Sequence, residues 1–429
     1  MGFIKKNYHW IIVALVLLEQ AVHVGIINNL SGLFIIPVTE ELQITRGSFS
    51  LSFSIRSLTG FFSTLFSGIF FAKFGFRKLA TVFLLVTAGA YALLGSSQNM
   101  AMLIIALALA GMSEGFCSTS AASRVVNTWF HTNQGLVLGL VTASTGLGGS
   151  LFSIILSNSI AANGWRAAYY LCGILVAGMA VLIFLISRDR PGQIGLLPYG
   201  AGQHHGKKAR KEHRDHWYGY EPKDVKKKPS FYLMLAVVFL SCSCCYSAFS
   251  AVVPHFQDCG MSAAKAASMQ SIMLLALAAT KFLCGILSDS LGAKTVNVLC
   301  MVCNVVALIL LAFSYNEWIA LAAVLVFSFG LVMTTITVPL LSSALFGYHP
   351  QSNVIGIFMA LIPAASVVTL PVVNSIYDRI GSYSPIFIVF SGIGLATLAI
   401  MFVLFAVADR ERKRYETMHP ELIDMEESV

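Results

Sequence analysis

Lys281 stands in an apolar run, four residues before a polar turn that reads Gly285-Ile-Leu-Ser-Asp289-Ser-Leu-Gly292-Ala-Lys294. An ammonium group in membrane hydrocarbon costs at least ~2.5–3.5 kcal/mol, so a buried charge usually lines a cavity or has a partner. Lys281 therefore predicts an aqueous pocket for a negatively charged solute, with this side chain as the substrate-binding cation.

Glu19 and His23 stand four residues apart in the first apolar stretch, which places them on one face of a helix. Histidine titrates near neutral pH, so an acid and an imidazole in contact can carry a proton. The spacing predicts a proton-coupling pair, and His23 is also a candidate for binding substrate. The alternative is a static hydrogen-bonded pair that stabilises helix packing.

Four more polar residues lie within apolar stretches or near their ends. Arg56 is predicted to be a second cation facing the solute, and Glu114 a further proton-coupling acid. The alternative is a structural ion pair, made with each other or with Glu19. Asn28, near the end of the first stretch, is a candidate for the pocket lining. Arg124 is expected to reach the membrane surface or to join a gate.

The composition indicates the elements that must position these groups. The chain has 429 residues, of which 57% are hydrophobic and 11% charged, whereas soluble domains carry about 25% charged residues. Its apolar residues form stretches of about 20, the length that crosses a bilayer as a helix. An all-α membrane protein with twelve transmembrane helices is predicted, with spans at 10–36, 48–72, 79–97, 100–123, 135–160, 167–187, 230–255, 264–288, 294–314, 317–345, 352–376 and 384–408.

The basic residues are placed as the positive-inside rule requires. Segment 188–229 holds eleven Lys and Arg residues, and the net charge is +8. We expect a multi-pass protein of the cell membrane, with both termini and this segment in the cytoplasm. The cations form no reading surface with stacking aromatics, so no nucleic acid is expected. Predicted units are an N-terminal six-helix bundle (1–187), a basic linker (188–229), a C-terminal six-helix bundle (230–408) and a cytoplasmic tail (409–429).

The two halves repeat one pattern. A shift of 217 positions superimposes glycines and one basic residue of the first half on those of the second. Such repetition is typical of transporters built from related bundles, with the solute site between them. The superimposed pairs are Gly68 and Gly285, Gly75 and Gly292, Arg77 and Lys294, and Gly164 and Gly381.

After the second span the chain reads Gly68-Ile-Phe-Phe-Ala72-Lys73-Phe-Gly75-Phe-Arg77-Lys78. This resembles the signature Gly-x-x-x-Asp-Arg-x-Gly-Arg-Lys of the major facilitator superfamily, and the resemblance covers essentially the whole chain. It implies two pseudo-symmetric six-helix bundles and a gate at the signature. Ala72 replaces the acid that would cap a helix and pair with cations, whereas the second half keeps Asp289. The implied gating residues are Gly68, Gly75, Arg77, Lys78, Arg124, Gly285, Asp289, Gly292 and Lys294.

Three stretches carry a narrower resemblance: Trp129-Phe130 with Gly135 and Gly139, Gly164-Trp-Arg-Ala-Ala-Tyr169, and Arg190-Pro-Gly-Gln-Ile-Gly-Leu-Leu-Pro-Tyr-Gly200. They are similar to the monocarboxylate transporter group, which includes oxalate:formate exchangers. In that group an arginine four residues before the turn glycine of the eighth span binds the substrate carboxylate. Lys281 occupies this position. Guanidinium grips a carboxylate through two parallel bonds and ammonium acts as a point charge, so the resemblance implies altered geometry.

The chain departs from the narrower group at two places. Asn133 and Gln134 stand where basic residues usually precede the fifth span, and the acidic-glycine-tryptophan motif of many animal members is absent from the first span. The substrate is therefore less closely specified by the resemblance than the fold.

These features predict a secondary active transporter of a small, monocarboxylate-like organic anion, working by alternating access. Protons or a counter-anion would drive it, and it would function as a monomer in the bilayer without a cofactor. No GxxxxGK[ST] loop for ATP is present. No nucleophile-base constellation or metal-ligand cluster stands at a defined spacing, so an enzyme is not expected.

Two other functions remain open. A drug or organic-cation proton antiporter of the same fold would use Glu19 and Glu114 to bind substrate, with Lys281 in a structural role. The fifth-span region Ala143-Ser-Thr-Gly146 lacks the glycine-proline pair of many exporters, which weighs against that alternative. A non-transporting membrane sensor would not need several ionisable groups along a central path.

Overall fold

A computed structural model describes residues 7–130, 132, 134–200, 220, 222–347 and 351–418, which are helical almost throughout. The first half contains α1 (Tyr8–Ile27), α2 (Gly32–Leu42), α3 (Arg46–Phe74), α4 (Phe76–Gly95), α5 (Met100–Gly111), α6 (Glu114–Cys117), α7 (Thr119–Trp129) and α8 (Gln134–Ile186). The second half contains α9 (Pro222–Val225), α10 (Pro229–Asp258), α11 (Ala263–Leu291), α12 (Ala293–Ala312), α13 (Glu317–Val332), α14 (Val338–Phe346), α15 (Gln351–Ile380) and α16 (Ser384–Met418).

Ten stretches of the described residues are long and apolar enough to cross a membrane. One of them, Leu136–Ile186, is 51 residues long and leaves helical geometry at Gly164, where φ is 80° and ψ is 166°. It therefore supplies two of the predicted spans. Helix α3, with 29 residues, occupies the position of the second predicted span. The predicted all-α membrane fold with twelve spans is confirmed.

The internal repeat is visible in the backbone. A shift of 217 positions carries the bounds of α3 and α4 onto those of α11 and α12. The turn glycines of the two pairs, Gly75 and Gly292, have φ values of 78° and 81°. Gly164 and Gly381, also related by the shift, have φ values of 80° and 73°. Side chains with a Cβ rarely adopt this conformation, so the four glycines match a shared backbone requirement.

Several predicted spans are interrupted. The span expected at 10–36 is divided between α1 and α2, and the one at 100–123 among α5, α6 and α7. The span at 317–345 passes from α13 through a π-helical turn, Met333–Thr337, into α14. Apolar composition reports the length of a span and is insensitive to breaks in its backbone hydrogen bonds, which is why these interruptions were missed.

The domain boundaries drawn from the sequence fall on partly described segments. Helix α16 continues to Met418, past the predicted boundary at residue 408. Residues 201–219, 221 and 419–429 lie outside the described residues, and they contain much of the predicted linker and tail. The N-terminal residues 1–6 also lie outside them. The unit boundaries therefore stay predictions.

The segment that follows α8 folds back on the first half. The backbone N–H of Tyr199 donates to the carbonyl of Trp129 at 2.8 Å. The carboxylate of Asp189 accepts a 2.8 Å bond from the backbone N–H of Arg77, at the start of α4. These contacts tie residues 187–200 to the end of the molecule from which the linker leaves. We call this end the linker side and the opposite end the far side.

Helix α3 carries many hydroxyl groups, and most bond to carbonyls of their own helix. Ser52 donates to Phe49 O at 2.5 Å, and Ser67 donates to Thr64 O at 2.8 Å. Ser63 donates to Gly60 O at 3.0 Å in the same manner. Helix α3 lies against α15 of the second half. Its polar side chains are therefore satisfied without bonds to that helix, with Ser57 as an exception, since it accepts from Ser366 at 3.0 Å.

Candidate functional site

Lys281 lies on α11 at the junction of the two halves, and only 6% of the residue is exposed. Its Nζ donates to Thr145 Oγ1 at 3.3 Å and to Thr142 O at 3.4 Å, both on α8 of the first half. No ion pair with a carboxylate is recorded for it among the described residues. An ammonium group has three donors. Two long bonds leave this one able to take an anion.

Glu19 and His23 lie together on α1, and both are buried. Nδ1 of His23 is 4.0 Å from Oε1 of Glu19, and neither atom has a hydrogen-bond partner. The other ends of both side chains are held. Gln20 Nε2 donates to Glu19 Oε2 at 2.6 Å, and His23 Nε2 lies 2.9 Å from Ser113 Oγ. The structure thus places the predicted pair side by side, and the two atoms that face each other, Oε1 of Glu19 and Nδ1 of His23, have no hydrogen-bond partner.

Arg56 on α3 is at the break between α1 and α2. Its guanidinium donates to Glu114 Oε1 at 2.9 Å and to Ile27 O at 2.7 Å, and it also bonds Asn28 Oδ1. Ile27 is the last residue of α1, so Arg56 satisfies a carbonyl that the helix leaves open. Arg56 and Glu114 therefore form the ion pair that the sequence left as an alternative. Asn28, which was predicted to line the pocket, accepts a hydrogen bond from Arg56 of this pair.

The break after α1 also connects the pair of Arg56 and Glu114 with the surroundings of Lys281. Asn29 Nδ2 donates to Thr145 O at 3.0 Å, and Thr145 is the residue whose hydroxyl contacts Lys281. Sequence reasoning missed Thr142 and Thr145. Their signal was two hydroxyls three residues apart on a stretch rich in small residues, but its significance depends on which face meets α11.

The predicted gating residues of the first half make contacts within that half. Arg77 Nε donates to Phe184 O at 2.7 Å, and its guanidinium lies 4.8 Å from the Phe184 ring centre. Arg124 lies over the ring of Phe71 at 5.5 Å. A Cβ on Gly68 would lie 3.5 Å from the Arg124 guanidinium. Arg124 therefore belongs to the same cluster as the signature.

The second-half gating residues have fewer described contacts. Lys294 forms an exposed ion pair with Asp409 of α16, which is in its own half. Gly285 faces open space, because a Cβ there would meet nothing within 4 Å. The side chain of Asp289 lies outside the described residues, and Lys78 of the first half is exposed. In this structure the described contacts of the gating residues do not join the halves.

The far side, in contrast, is joined by a charged cluster that sequence reasoning missed. Arg46, the first residue of α3, forms two bonds of 2.8 and 2.9 Å with Asp258 at the end of α10. Its guanidinium also lies 4.0 Å from the ring centre of Tyr377. Asp378 on α15 accepts from the backbone N–H groups of Arg46 and Gly47 at 3.1 and 2.8 Å. Asp378 thus satisfies two open donors at the start of a helix in the other half.

Helices α8 and α11 form a second cross-half contact. The hydroxyl oxygens of Ser150 and Ser271 are 2.7 Å apart. Gly146 packs so tightly that a Cβ would lie 2.7 Å from Leu274 O. Across the described residues, the recorded cross-half hydrogen bonds extend from the level of Lys281 to the far side. The halves are therefore closed on the far side, and Lys281 is at the boundary nearest the linker side.

Among the described residues, the cysteines and the side chains that could bind a metal form no further site. Cys284 Sγ and Cys300 Sγ are 3.8 Å apart within the second half, and the nine cysteines are unpaired. Within the described ranges, no three His, Cys, Asp or Glu side chains converge as ligands for a metal ion.

Comparison with known proteins agrees with this architecture. Residues 16–361 match the sequence profile of the family described as Major Facilitator Superfamily. The membrane sensor protein UhpC of Salmonella typhimurium is 27% identical over 162 residues, which cover 38% of this chain and 36% of that protein. The oxalate:formate antiporter of Oxalobacter formigenes is 27% identical over 161 residues, 37% of this chain and 38% of that protein. The chain spans less than half the length of these curated relatives.

A solved structure is similar over a longer range. The nucleoside transporter NupG superimposes with a TM-score of 0.71, over 93% of this chain and 99% of that chain, at 12% identity. At this identity the likeness concerns the fold alone. Both resemblances drawn from the motifs, to the superfamily and to the group with oxalate:formate exchangers, recur among these matches.

Proposed function

The chain belongs to the Major Facilitator Superfamily, and on that premise we propose that it is a secondary active transporter of a small, monocarboxylate-like organic anion. The observation that carries the proposal is the buried ammonium group of Lys281, which lies between the halves with only two long bonds to neutral oxygens. The similarity to an oxalate:formate antiporter supports the same class of substrate. We place the linker side and both termini in the cytoplasm, so the cross-half contacts of the far side would close the site toward the outside.

The contacts of Lys281 suggest how substrate would couple to the movement. A charge-assisted bond to a carboxylate is shorter and stronger than bonds of 3.3 and 3.4 Å to neutral oxygens. A bound anion would therefore compete with Thr142 and Thr145 for the ammonium group. Because these threonines belong to the first half, binding would weaken one cross-half contact and bias the equilibrium between the two states.

Glu19 and His23 are proposed as the proton-coupling pair. They share a gap of 4.0 Å between two atoms without partners, so a proton there would be stabilised by both. Protonation also lowers the cost of keeping an acid in the membrane interior. The pair is in the first half, whereas the proposed anion-binding ammonium is in the second. Proton symport and anion exchange are both compatible with this arrangement.

The decisive measurement is uptake of labelled formate, oxalate, lactate or pyruvate into proteoliposomes, with and without a pH gradient. Lys281→Ala is expected to abolish uptake, and Lys281→Arg to retain part of it, because the charge is kept with altered geometry. Lys265→Ala is a matched control on the same helix, since Lys265 is exposed and paired with Glu317. Normal uptake by Lys281→Ala would refute the anion site.

The proton-coupling assignment has a separate test. Glu19→Gln removes the titratable group while keeping its size and its bond from Gln20. We expect loss of accumulation driven by a pH gradient, with counterflow of labelled against unlabelled anion preserved. If accumulation is retained, Glu19 is not the proton carrier.

A membrane sensor is the second candidate, and the match to UhpC favours it. A sensor would bind its anion at Lys281 without net transport. Isothermal titration with the purified protein distinguishes the two, because binding that depends on Lys281 without uptake indicates a sensor. The drug antiporter is less favoured, since Glu114 is already paired with Arg56 at 2.9 Å. Uptake of an organic cation that depends on Glu114 would support it.

A further inference from the structure

A cavity of about 350 Å³ opens on the linker side of the first half. It is enclosed by the end of α3, by α7 and by the segment that follows α8. Its lining contains three basic side chains, Lys73, Arg124 and Arg190, and one carboxylate, Asp189. Arg124 is also one of the predicted gating residues, but the proposed substrate and proton-coupling sites use none of these four residues.

The three basic groups of the cavity are not neutralised by the described residues. Lys73 Nζ lies 5.3 Å from the ring centre of Phe74, and Arg124 lies 5.5 Å from that of Phe71. Aromatic faces attract cations but carry no net charge. No ion pair with a carboxylate is recorded for Lys73, Arg124 or Arg190 in the described part of the chain.

Asp189, the one acid in the lining, is already engaged. Its Oδ1 accepts from the backbone N–H of Arg77. Its carboxylate lies so close to Gly75 that a Cβ on that glycine would be 2.6 Å from the carboxylate carbon. It therefore caps the start of α4, where the helix dipole stabilises its negative charge. Position 72, beside Lys73, holds alanine, so the chain supplies no second acid there. The cavity keeps an excess of positive charge.

An apolar surface adjoins the cavity. On α3, Ile69 is 71% exposed, Phe70 42% and Phe74 43%. The rings of Phe70 and Phe74 lie stacked with centres 6.2 Å apart, and Phe74 also lines the cavity. A ligand with a phosphate group and a hydrocarbon chain would therefore find complementary surfaces next to each other.

We propose that this cavity binds the headgroup of an anionic phospholipid, with an acyl chain along the exposed face of α3. Basic pockets between transmembrane helices on the cytoplasmic side are suited to such headgroups. Free phosphate shares the charge chemistry but would leave the adjoining apolar surface without a partner. The inference does not depend on transport of an anion at Lys281.

The test uses the purified full-length chain, with lipid binding measured by native mass spectrometry and by titration of phosphatidylglycerol against phosphatidylcholine. We expect phosphatidylglycerol to bind about tenfold more tightly than phosphatidylcholine, and Arg124→Gln with Arg190→Gln to remove this preference. Lys78→Gln is the matched control, because Lys78 is on the same side but does not line the cavity. It should bind as the unaltered protein does.

Three results would overturn the proposal. These are equal binding of the two lipids, unchanged preference in the double variant, and full displacement of phosphatidylglycerol by millimolar inorganic phosphate, which would identify a free-phosphate site. If the double variant does not fold, Lys73→Gln serves instead, since Lys73 is exposed at the cavity and removing it tests the same charge. A several-fold loss of preference in that variant supports the site, and no loss refutes it.

Discussion

The two ends of this molecule differ in how the halves meet. On the far side, Arg46 of the first half bonds Asp258 of the second, and Asp378 of the second half caps a helix of the first. On the linker side, Arg77 and Lys294 bond partners in their own halves. Charged residues thus join the halves on the far side, whereas on the linker side Arg77 and Lys294 bond within one half. The difference shows which bonds must break when the molecule changes state.

The chemistry of the far-side contacts is suited to a closure that reopens. Surface ion pairs contribute about 0–1 kcal/mol, and a helix-capping side chain contributes about 1 kcal/mol. Arg46 and Asp258 are partly exposed, with 13% and 24% of their side chains accessible. Contacts of this strength can shift an equilibrium between two states without trapping one of them.

The largest effect is expected when the closure of the far side is made permanent. Ser150 Oγ and Ser271 Oγ are 2.7 Å apart, so cysteines at both positions are close enough for a disulfide. Oxidation of Ser150→Cys with Ser271→Cys is expected to abolish uptake into proteoliposomes, and a reductant to restore it. Each single variant should keep its uptake under oxidation. Transport by the cross-linked double variant would show that this contact does not separate.

A larger side chain at the contact between α8 and α11 should open the far side. In Gly146→Ala the new Cβ would lie 2.7 Å from Leu274 O, and overpacking costs roughly 1–3 kcal/mol. We expect the far-side-open population to rise about tenfold, seen as a longer distance between spin labels at Gln43 and Ala264. Gly139→Ala is the matched control on α8, because a Cβ there meets nothing within 4 Å. Equal distances in the two variants would contradict the assigned close packing.

Removing one cap should have a smaller effect. Asp378→Asn keeps the side-chain size but weakens the bonds to two backbone N–H groups at the start of α3. A loss of about 1 kcal/mol would shift the same spin-label equilibrium about fivefold toward far-side opening. Asp409→Asn, which alters an ion pair within the second half, should leave it unchanged. An effect of Asp409→Asn as large as that of Asp378→Asn would remove the distinction between the ends.

The smallest effect concerns a far-side contact that does not cross the halves. A bond from Arg166 and a 2.6 Å bond from Trp165 Nε1 lower the pKa of Glu41 below its ordinary 4.5. Because the folded-state pKa is depressed, the stabilisation is present above pH 4.5 and is lost as pH falls through the lowered pKa. Thermal unfolding should show a slight loss of stability in that range, absent in Glu41→Gln. Spin-label distances across the halves should not change.

The sequence predicted the parts that depend on local spacing. Glu19 and His23 share a helix face because they are four residues apart, and the paired glycines share a backbone conformation. Thr145 near Lys281 and Asp378 near Gly47 were not predictable in this way. Such contacts depend on how helices from separate halves are rotated toward each other, which hydrophobic periodicity within one helix does not report.

The hydroxyls of α3 determine how many polar contacts are broken when this helix moves along α15. A side chain that donates to its own helix keeps its bond while the neighbouring helix slides, so movement along α15 disrupts few polar contacts. Ser57 and Ser366 are the exception recorded along this sliding surface. Movement of α3 along α15 would therefore break this side-chain bond and the contacts of Asp378 at the far side, while the hydroxyls bonded within α3 would keep their partners.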